Sequence, residues 1–342
     1  MKKLIIITLS LFLVISCSTT SNETTLVDLE NNDATFDWVV PTSEITGSNS
    51  PFPLALNPNY TLAKDVEFIS DPSKVALISF KNGEVWAYPY RYISTYEIIN
   101  DDKNGIAFSL TYCPITKSSL LFKRDFNAED SFILRSSGYL YKENLVAIDQ
   151  KTNTYWSQFL LKSIKGKYQN QTLETINLVE TTWLTVRNNF PNAYVFTNTS
   201  VQSGKNSQTS SSKTAIESNE VVYGVLENVT KSELQTIHIY QYQSFASGIV
   251  VKKSKNNADD IVVIGSNNLQ FITSYKISNN RTYTALQNSF PNIMVDSDNN
   301  IYDVFGIIVS GPNEGEQLNS PNAFAASFWA WESFYPSIIE EN

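Results

Sequence analysis

The only side chains in this sequence suited to nucleophilic or redox chemistry of an unusual kind are two thiols, Cys17 and Cys113. A thiol reacts as its thiolate, and nearby cations or backbone N–H groups lower its pKa. Cys17 closes the run Val14-Ile15-Ser16-Cys17, where an apolar residue, then a small one, precedes a cysteine. That is the processing pattern of an exported lipoprotein: the thiol takes a diacylglycerol, the chain is cut before it, and the new amine is acylated. Once Cys17 is lipidated, Cys113 has no partner for a disulfide within the chain, and a free thiol outside the cytoplasm is uncommon. Free cysteine is also among the most buried residue types, so inert packing stands beside a reactive role. His238 is the single histidine. It lies in an alternating β segment beside Tyr240, where a structural role is expected. One histidine and one thiol are too few soft ligands for zinc. We assign no metal site and no cofactor, although copper(I) at Cys113 is compatible with the sequence.

The segment ahead of Cys17 supports the lipoprotein reading. Lys2 and Lys3 form a short positive region, followed by an apolar run from Leu4 to Ile15 relieved by Thr8 and Ser10. This run is too short for a mature membrane span and reads as an export signal over residues 1–16. Two or more acyl chains then give stable anchoring to a lipid bilayer. Ser18, rather than Asp, follows the cysteine and favours the outer membrane where a cell has two. Residues 17–50 are rich in Ser, Thr, Asn and Asp and read as a lipidated N-terminus and flexible tether. Losing Lys2 and Lys3 leaves 23 basic against 34 acidic side chains. That balance argues against nucleic acid as a partner.

The elements that must position Cys113 read as short strands. Val75 to Phe80 is apolar and β-rich, Lys81-Asn82-Gly83 marks a turn, and Glu84 to Tyr88 completes a hairpin. Ile98-Ile99 leads into Asn100 to Gly105, read as a polar turn. Ile106 to Tyr112 then delivers Cys113 at a strand end, with Pro114 stopping the ladder. Ser131 to Arg135 reads as a strand before a Ser136-Ser137-Gly138 turn, and Leu145 to Ile148 as another before a turn at residues 149–153. Residues 180–190 look helical, with Thr181 or Thr182 as cap and Pro191 as stop. Residues 197–219 are almost entirely polar and read as a linker or loop.

Two stretches look alike. Residues 153–191 carry Trp156, Phe159, Ile164, Gly166, Trp183 and Phe190-Pro191, while residues 299–336 carry Tyr302, Phe305, Val309, Gly311, Phe328 and Tyr335-Pro336, at offsets of 146 and then 145. A diverged internal duplication follows, with a first β-rich half over 51–196 that holds Cys113 and a second, degenerate half over 220–342. Long alternating βα units and a phosphate-cradling Gly-rich loop are both absent. The expected fold class is β-rich α+β, built of short-strand sheets with a few packed helices.

The neighbourhood of Cys113 resembles the DUF3179 family, a bacterial and archaeal group. The matching stretches are Val85-Trp86-Ala87-Tyr88-Pro89, Glu97-Ile98-Ile99-Asn100-Asp101, Thr111-Tyr112-Cys113-Pro114, Ser137-Gly138, and Asp149 through Trp156-Ser157-Gln158. They run from about residue 50 to 196, with weaker similarity beyond. Some members of the family carry selenocysteine where Cys113 stands, which implies a chalcogen doing chemistry. Two departures are visible: Tyr96 occupies a place where many members have His, and Thr116 offers no second thiol.

On this resemblance Cys113 is the candidate nucleophile, with Arg91, Glu97 and Asp101 as supporting groups: Arg91 or Arg135 as cation, the acids to orient it or handle a proton. Tyr96, Thr111, Thr116, Ser137, Gly138 and Trp156 are candidate binding residues, the Ser137-Gly138 turn aiming backbone donors at an anion. Trp86, Tyr88 and Trp156 are expected in the core rather than on a ligand platform. Three functions are then open. Cys113 could attack a peroxide, disulfide or sulfoxide and be restored by an external thiol. The chain could instead be a non-catalytic binding or scaffold lipoprotein with a buried cysteine. Acyl transfer is the third, and it needs a base that only His238 could supply.

Overall fold

The computed structural model describes residues 36–127, 130–201, 220–227, 236–256, 259–278 and 280–341. The export signal over 1–16, Cys17 and most of the polar 197–219 stretch lie outside the described residues. The N-terminal part runs through β1 (Ile45–Gly47), β2 (Ala55–Leu62), β3 (Lys74–Ser79), β4 (Val85–Pro89), α1 (Tyr90–Ile93), β5 (Ile98–Lys103), β6 (Ile106–Cys113) and β7 (Ser118–Lys123). It continues with β8 (Asp125–Asn127), β9 (Asp130–Ser131), β10 (Leu134–Tyr141), β11 (Asn144–Asp149), β12 (Tyr155–Ser157), β13 (Lys162–Lys165), β14 (Thr175–Ile176), β15 (Val179–Thr182), α2 (Trp183–Asn189) and β16 (Tyr194–Val201). The C-terminal part holds β17 (Val221–Leu226), β18 (Thr236–Gln241), β19 (Val250–Asn256), β20 (Asp259–Ser266), β21 (Phe271–Lys276), β22 (Tyr283–Ala285) and β23 (Asn292–Asp296). It ends with β24 (Ile301–Asp303), β25 (Ile308–Ser310), β26 (Ala323–Ser327), α3 (Phe328–Phe334) and β27 (Ser337–Glu341). The fold is β-rich α+β with a few short helices, and among the described residues no helix is long and apolar enough to cross a membrane.

The largest sheet has the order β14-β7-β6-β5-β2-β16-β4-β3-β15, and the first smaller one β1-β10-β11-β12-β13. The C-terminal part forms β26-β17-β18-β27, β19-β20-β21 and β22-β23-β24-β25. Two of these arrangements correspond. β15-β3-β4-β16 and β26-β17-β18-β27 each join two antiparallel pairs to one parallel pair.

Two of the four apolar cores cross between the two parts. One gathers Cys113, Leu120, Phe132, Leu145 and Phe159 with Val222, Ile237, Phe324, Trp331 and Phe334. Another gathers Val75, Leu77, Trp183, Val186 and Phe190 with Val262, Ile264, Phe271, Tyr275 and Tyr302. Helix α2 packs directly on β15 and β3, and α3 on β26 and β17, while each also lends side chains to a core shared with the other part. The sequence halves over 51–196 and 220–342 therefore share two cores, although each also holds one of its own.

Local readings change in several places. Asn100 to Lys103, read as a turn, lies in β5, and only Asn104-Gly105 turns, both at positive φ. The strand tolerates Asn100 because its amide donates to Leu134 O at 2.7 Å while its oxygen accepts Leu134 N at 2.9 Å. Residues 197–201 belong to β16, paired to β2, rather than to a linker. Helix α2 starts only at Trp183, with Thr182 Oγ1 accepting Thr185 N, because Val179–Thr182 pairs with β3. Residues 36–50 were read as tether. They dock on the body instead: Trp38 meets Tyr139 edge-on at 5.6 Å, and β1 pairs with β10.

Candidate functional site

Cys113 is the last residue of β6, opposite Ser118 across the tight connection to β7. Strand alternation turns it toward the first core, with Thr111 and Ser109 on the same face. Its residue is 1 % exposed. The thiol lies 3.9 Å from Glu143 O, in the turn between β10 and β11, where Lys142 and Glu143 both have positive φ. Glu143 is exposed while Cys113 is not, so the sulfur sits one layer beneath this turn. Lys142 holds the turn in place through its backbone N–H to Glu44 O (3.0 Å) and Nζ to Ser333 O (2.7 Å).

Burial pushes the Cys113 thiol pKa up, and the charge of Glu97 adds to that rise. The hydroxyl and backbone N–H of Thr116 and the N–H of Leu145 work the other way, favouring the thiolate. Glu97 precedes β5 at φ 59, and its carbonyl accepts Tyr112 N at 2.7 Å. That bulge aims its carboxyl inward, where Ser136 Oγ donates to it at 2.6 Å. Burial raises Glu97 from 4.5 to about 7, against the lowering effect of Ser136. The site therefore pairs a protonated thiol with an acid that titrates near neutrality.

Thr116 is fixed by a buried polar network. Asn144 Nδ2 reaches Thr116 Oγ1 at 2.9 Å and Gln158 Oε1 at 2.8 Å. Ser118 Oγ meets Thr116 Oγ1 at 2.8 Å and donates to Gln158 Oε1 at 2.7 Å. Gln158 Nε2 donates to Thr111 Oγ1 at 2.9 Å, and Thr111 donates on to Leu120 O at 3.0 Å. Phe159 N–H completes Asn144 by donating to its Oδ1 at 3.2 Å. Satisfied networks of this kind rigidify a core. Asn144 and Ser118 escaped sequence reading altogether, since a polar residue in a turn or strand carries no mark of a distant partner. Gln158 carried one signal, its place in the Trp156-Ser157-Gln158 match.

The structure gathers Cys113, Glu97, Thr111 and Thr116 but not the other candidates. Arg91 is exposed on α1 and donates to Phe68 O at 3.1 Å, and Arg135 donates through Nε to Phe52 O at 3.1 Å. Neither guanidinium is among the groups that perturb Cys113. Asp101 points to the opposite face of β5, where Tyr60 and Tyr88 donate to its carboxylate and Lys103 Nζ pairs with it at 2.7 Å. Tyr96 is buried in a separate core with Ile99 and Tyr88. Trp156 packs against Phe132 and Tyr168, with Nε1 3.4 Å from Asp149 Oδ2. Ser137 Oγ donates to Val146 O at 2.6 Å, inside β10 rather than in a turn.

Gly138 forms a bulge in β10 at φ 83, and a Cβ there would stand 2.6 Å from the carbonyl oxygens of Ser48 and Ser50. The close approach lets Ser50 N bond Ser137 O at 3.1 Å. We expect Gly138→Ala to cost about 2–3 kcal/mol, from left-handed backbone plus this collision. A denaturant midpoint unchanged from the parent chain would contradict that role.

Among the described residues no group of three or more His, Cys, Asp or Glu side chains is arranged to hold a metal. His238 lies between carboxylates, its Nε2 2.9 Å from Glu227 Oε1 and its Nδ1 2.8 Å from Glu341 Oε1. With both ring nitrogens so engaged, it is not the base that acyl transfer at Cys113 requires. The family model described as Protein of unknown function (DUF3179) matches residues 50–338, well beyond the region around Cys113. No curated protein and no solved structure matches the chain.

Proposed function

We propose, starting from the fact that this chain belongs to the DUF3179 family, that it is a lipid-anchored envelope protein carrying a masked thiol at Cys113. Acylation at Cys17 attaches it to the bilayer, in the outer membrane where a cell has two. The observation that carries the thiol reading is the place of the sulfur 3.9 Å from Glu143 O, directly beneath the Lys142-Glu143 turn, with Glu97 and Thr116 acting on it electrostatically. Apolar side chains of the first core, Leu120 and Leu145 among them, share that core with Cys113. Glu97, near neutrality, has the pKa suited to accept the S–H proton and return it.

With a hydroperoxide as substrate, sulfur attacks the distal oxygen and the O–O bond breaks. Glu97 takes the thiol proton, and the leaving oxygen gains a proton to depart as water or an alcohol. Cys113 is left as a sulfenic acid. One external thiol converts it to a mixed disulfide and water, and a second releases Cys113 with formation of the external disulfide. The burial of the sulfur makes the rate depend on opening of the Lys142-Glu143 turn.

A second reading, a non-catalytic binding or scaffold protein with a structural cysteine, is favoured by the 1 % exposure of Cys113. Mass spectrometry of the native protein under mild peroxide separates the two. On the thiol reading sulfenic acid forms at Cys113 without unfolding. Lys142→Ala, which removes the bond to Ser333 O, speeds labelling about tenfold, the factor a loosening of ~1.4 kcal/mol gives. Labelling that occurs only in denaturant, in both proteins, would leave the second reading standing.

We also infer that the two parts arose by duplication. The matching strand orders support this, as do the bridges Lys162↔Thr172 and Ile307↔Gln317, which sit at the 145-residue offset of the sequence pattern. β5-β6-β7 corresponds to β19-β20-β21, with Cys113↔Ser118 matched by Ser266↔Phe271. On this alignment Ser266 replaces the thiol, and chemistry is confined to the N-terminal part.

A further inference from the structure

The two corresponding sheets differ at one edge. In the N-terminal sheet β16 is flanked on both sides, by β4 in parallel and by β2 in antiparallel register. Its counterpart β27 pairs with β18 in parallel, and among the described residues it ends its sheet. The registers make the correspondence specific. Tyr194 stands opposite Trp86 as Ile339 stands opposite His238. On the outer side, Leu62 stands opposite Tyr194 and Tyr60 opposite the buried Phe196, whereas no strand among the described residues stands opposite Ile339 or Glu341; Tyr194 and Ile339 are comparably exposed, at 37 % and 44 %. An edge strand presents unpaired N–H and C=O groups and is a template for another strand unless it is blunted.

The edge is acidic. Glu340 is exposed, Glu341 is half-buried, and Glu227 lies across His238 from Glu341. A second copy of this chain is a poor occupant, since its own edge carries the same carboxylates and the chain has a net charge of -9.

We propose that the edge of β27 binds an extended basic segment of another protein, paired antiparallel as β2 pairs with β16. Main-chain bonds supply affinity in such strand addition, and alternate side chains supply selection. The β2 register sets the pattern: a Lys or Arg opposite Glu341, where Tyr60 stands opposite Phe196, and two residues later an apolar side chain opposite Ile339, where Leu62 stands opposite Tyr194. The sequence class is therefore basic–any–apolar in extended conformation.

The test uses the full chain and a capped peptide of about seven residues, Thr-Lys-Thr-Val-Thr-Lys-Thr, with a Glu-for-Lys peptide as control. Hydrogen exchange of the 337–341 amides is followed during titration. We expect the Lys peptide to slow exchange there at least tenfold. Ile339→Lys and Glu341→Lys should each weaken binding about tenfold, with melting temperature measured alongside to show the fold intact. The proposal fails if millimolar Lys peptide leaves exchange unchanged, or if the Glu peptide protects equally. It also fails if protection rises with protein concentration alone, which would assign the edge to a second copy.

Discussion

Between pH 4.5 and 7.5 the protein should lose several kcal/mol of stability. Glu97 and Glu180 are each raised by burial from 4.5 to about 7, Glu180 against the opposing charge of Lys74. In the unfolded chain both ionise near 4.5, while in the folded protein both keep their protons until about 7. The folded state therefore binds more protons through this window, and stability falls as pH rises. Below the unfolded value the contribution is fully present, and above the folded value it is gone. Each group accounts for about 3 kcal/mol on the linkage relation, and the pair for about 5 kcal/mol once partial relaxation is allowed. Asp303, raised by burial to about 6, acts in the same direction. Asp296, held low by Asn300 and Tyr302 despite the opposing effect of burial, acts the other way at lower pH. Urea midpoints at pH 4.5 and 7.5 measure the loss directly. Glu97→Gln and Glu180→Gln should each flatten the slope, and a midpoint that rises with pH in the parent chain would refute the assignment.

Trp331→Ala should cost about 3–5 kcal/mol, the range for removing a large aromatic side chain from a closed core. Trp331 is fully buried on α3. Its ring lies 4.9 Å from Phe159 and 4.4 Å from Phe324, with Tyr335 at 5.8 Å. Gly224 supplies the space, since any Cβ there would collide with the indole. For a domain of this size the melting temperature should fall by roughly 6–10 °C. Among the described residues Trp331 Nε1 has no hydrogen-bond partner, so Trp331→Phe should cost less than half as much. Because the same core holds Cys113 and Leu145, the loss should appear as one cooperative transition for both parts of the chain. Two separated transitions would show that the parts are energetically independent.

What was legible in the sequence was local. Lys81-Asn82-Gly83 between two β-rich runs gave a hairpin because a turn of that kind needs only its own residues. Pro114 marked the end of β6 for the same reason. Asn100 to Lys103 misled because polar residues in a strand are stabilised from afar, here by Leu134, 34 positions away, bonding Asn100. The candidate site divided similarly. Motif resemblance pointed to Cys113, Glu97 and Thr116, and to Arg91 and Asp101 as well. Strand alternation around β5 then sends Asp101 to the far face, a parity that could not be used while those residues read as a turn. The network of Asn144, Ser118 and Gln158 joins three elements, and no spacing along the chain announces it.

The sharing of both principal cores between the two parts bears on when the chain can fold. Neither principal core closes until residues from both ends of the sequence are present, and α3 arrives within the last 20 residues or so. Contacts of such long sequence separation form slowly and late. A ribosome that has released only the first 300 residues holds a chain that still lacks Trp331 and Phe334, with Phe159 uncovered.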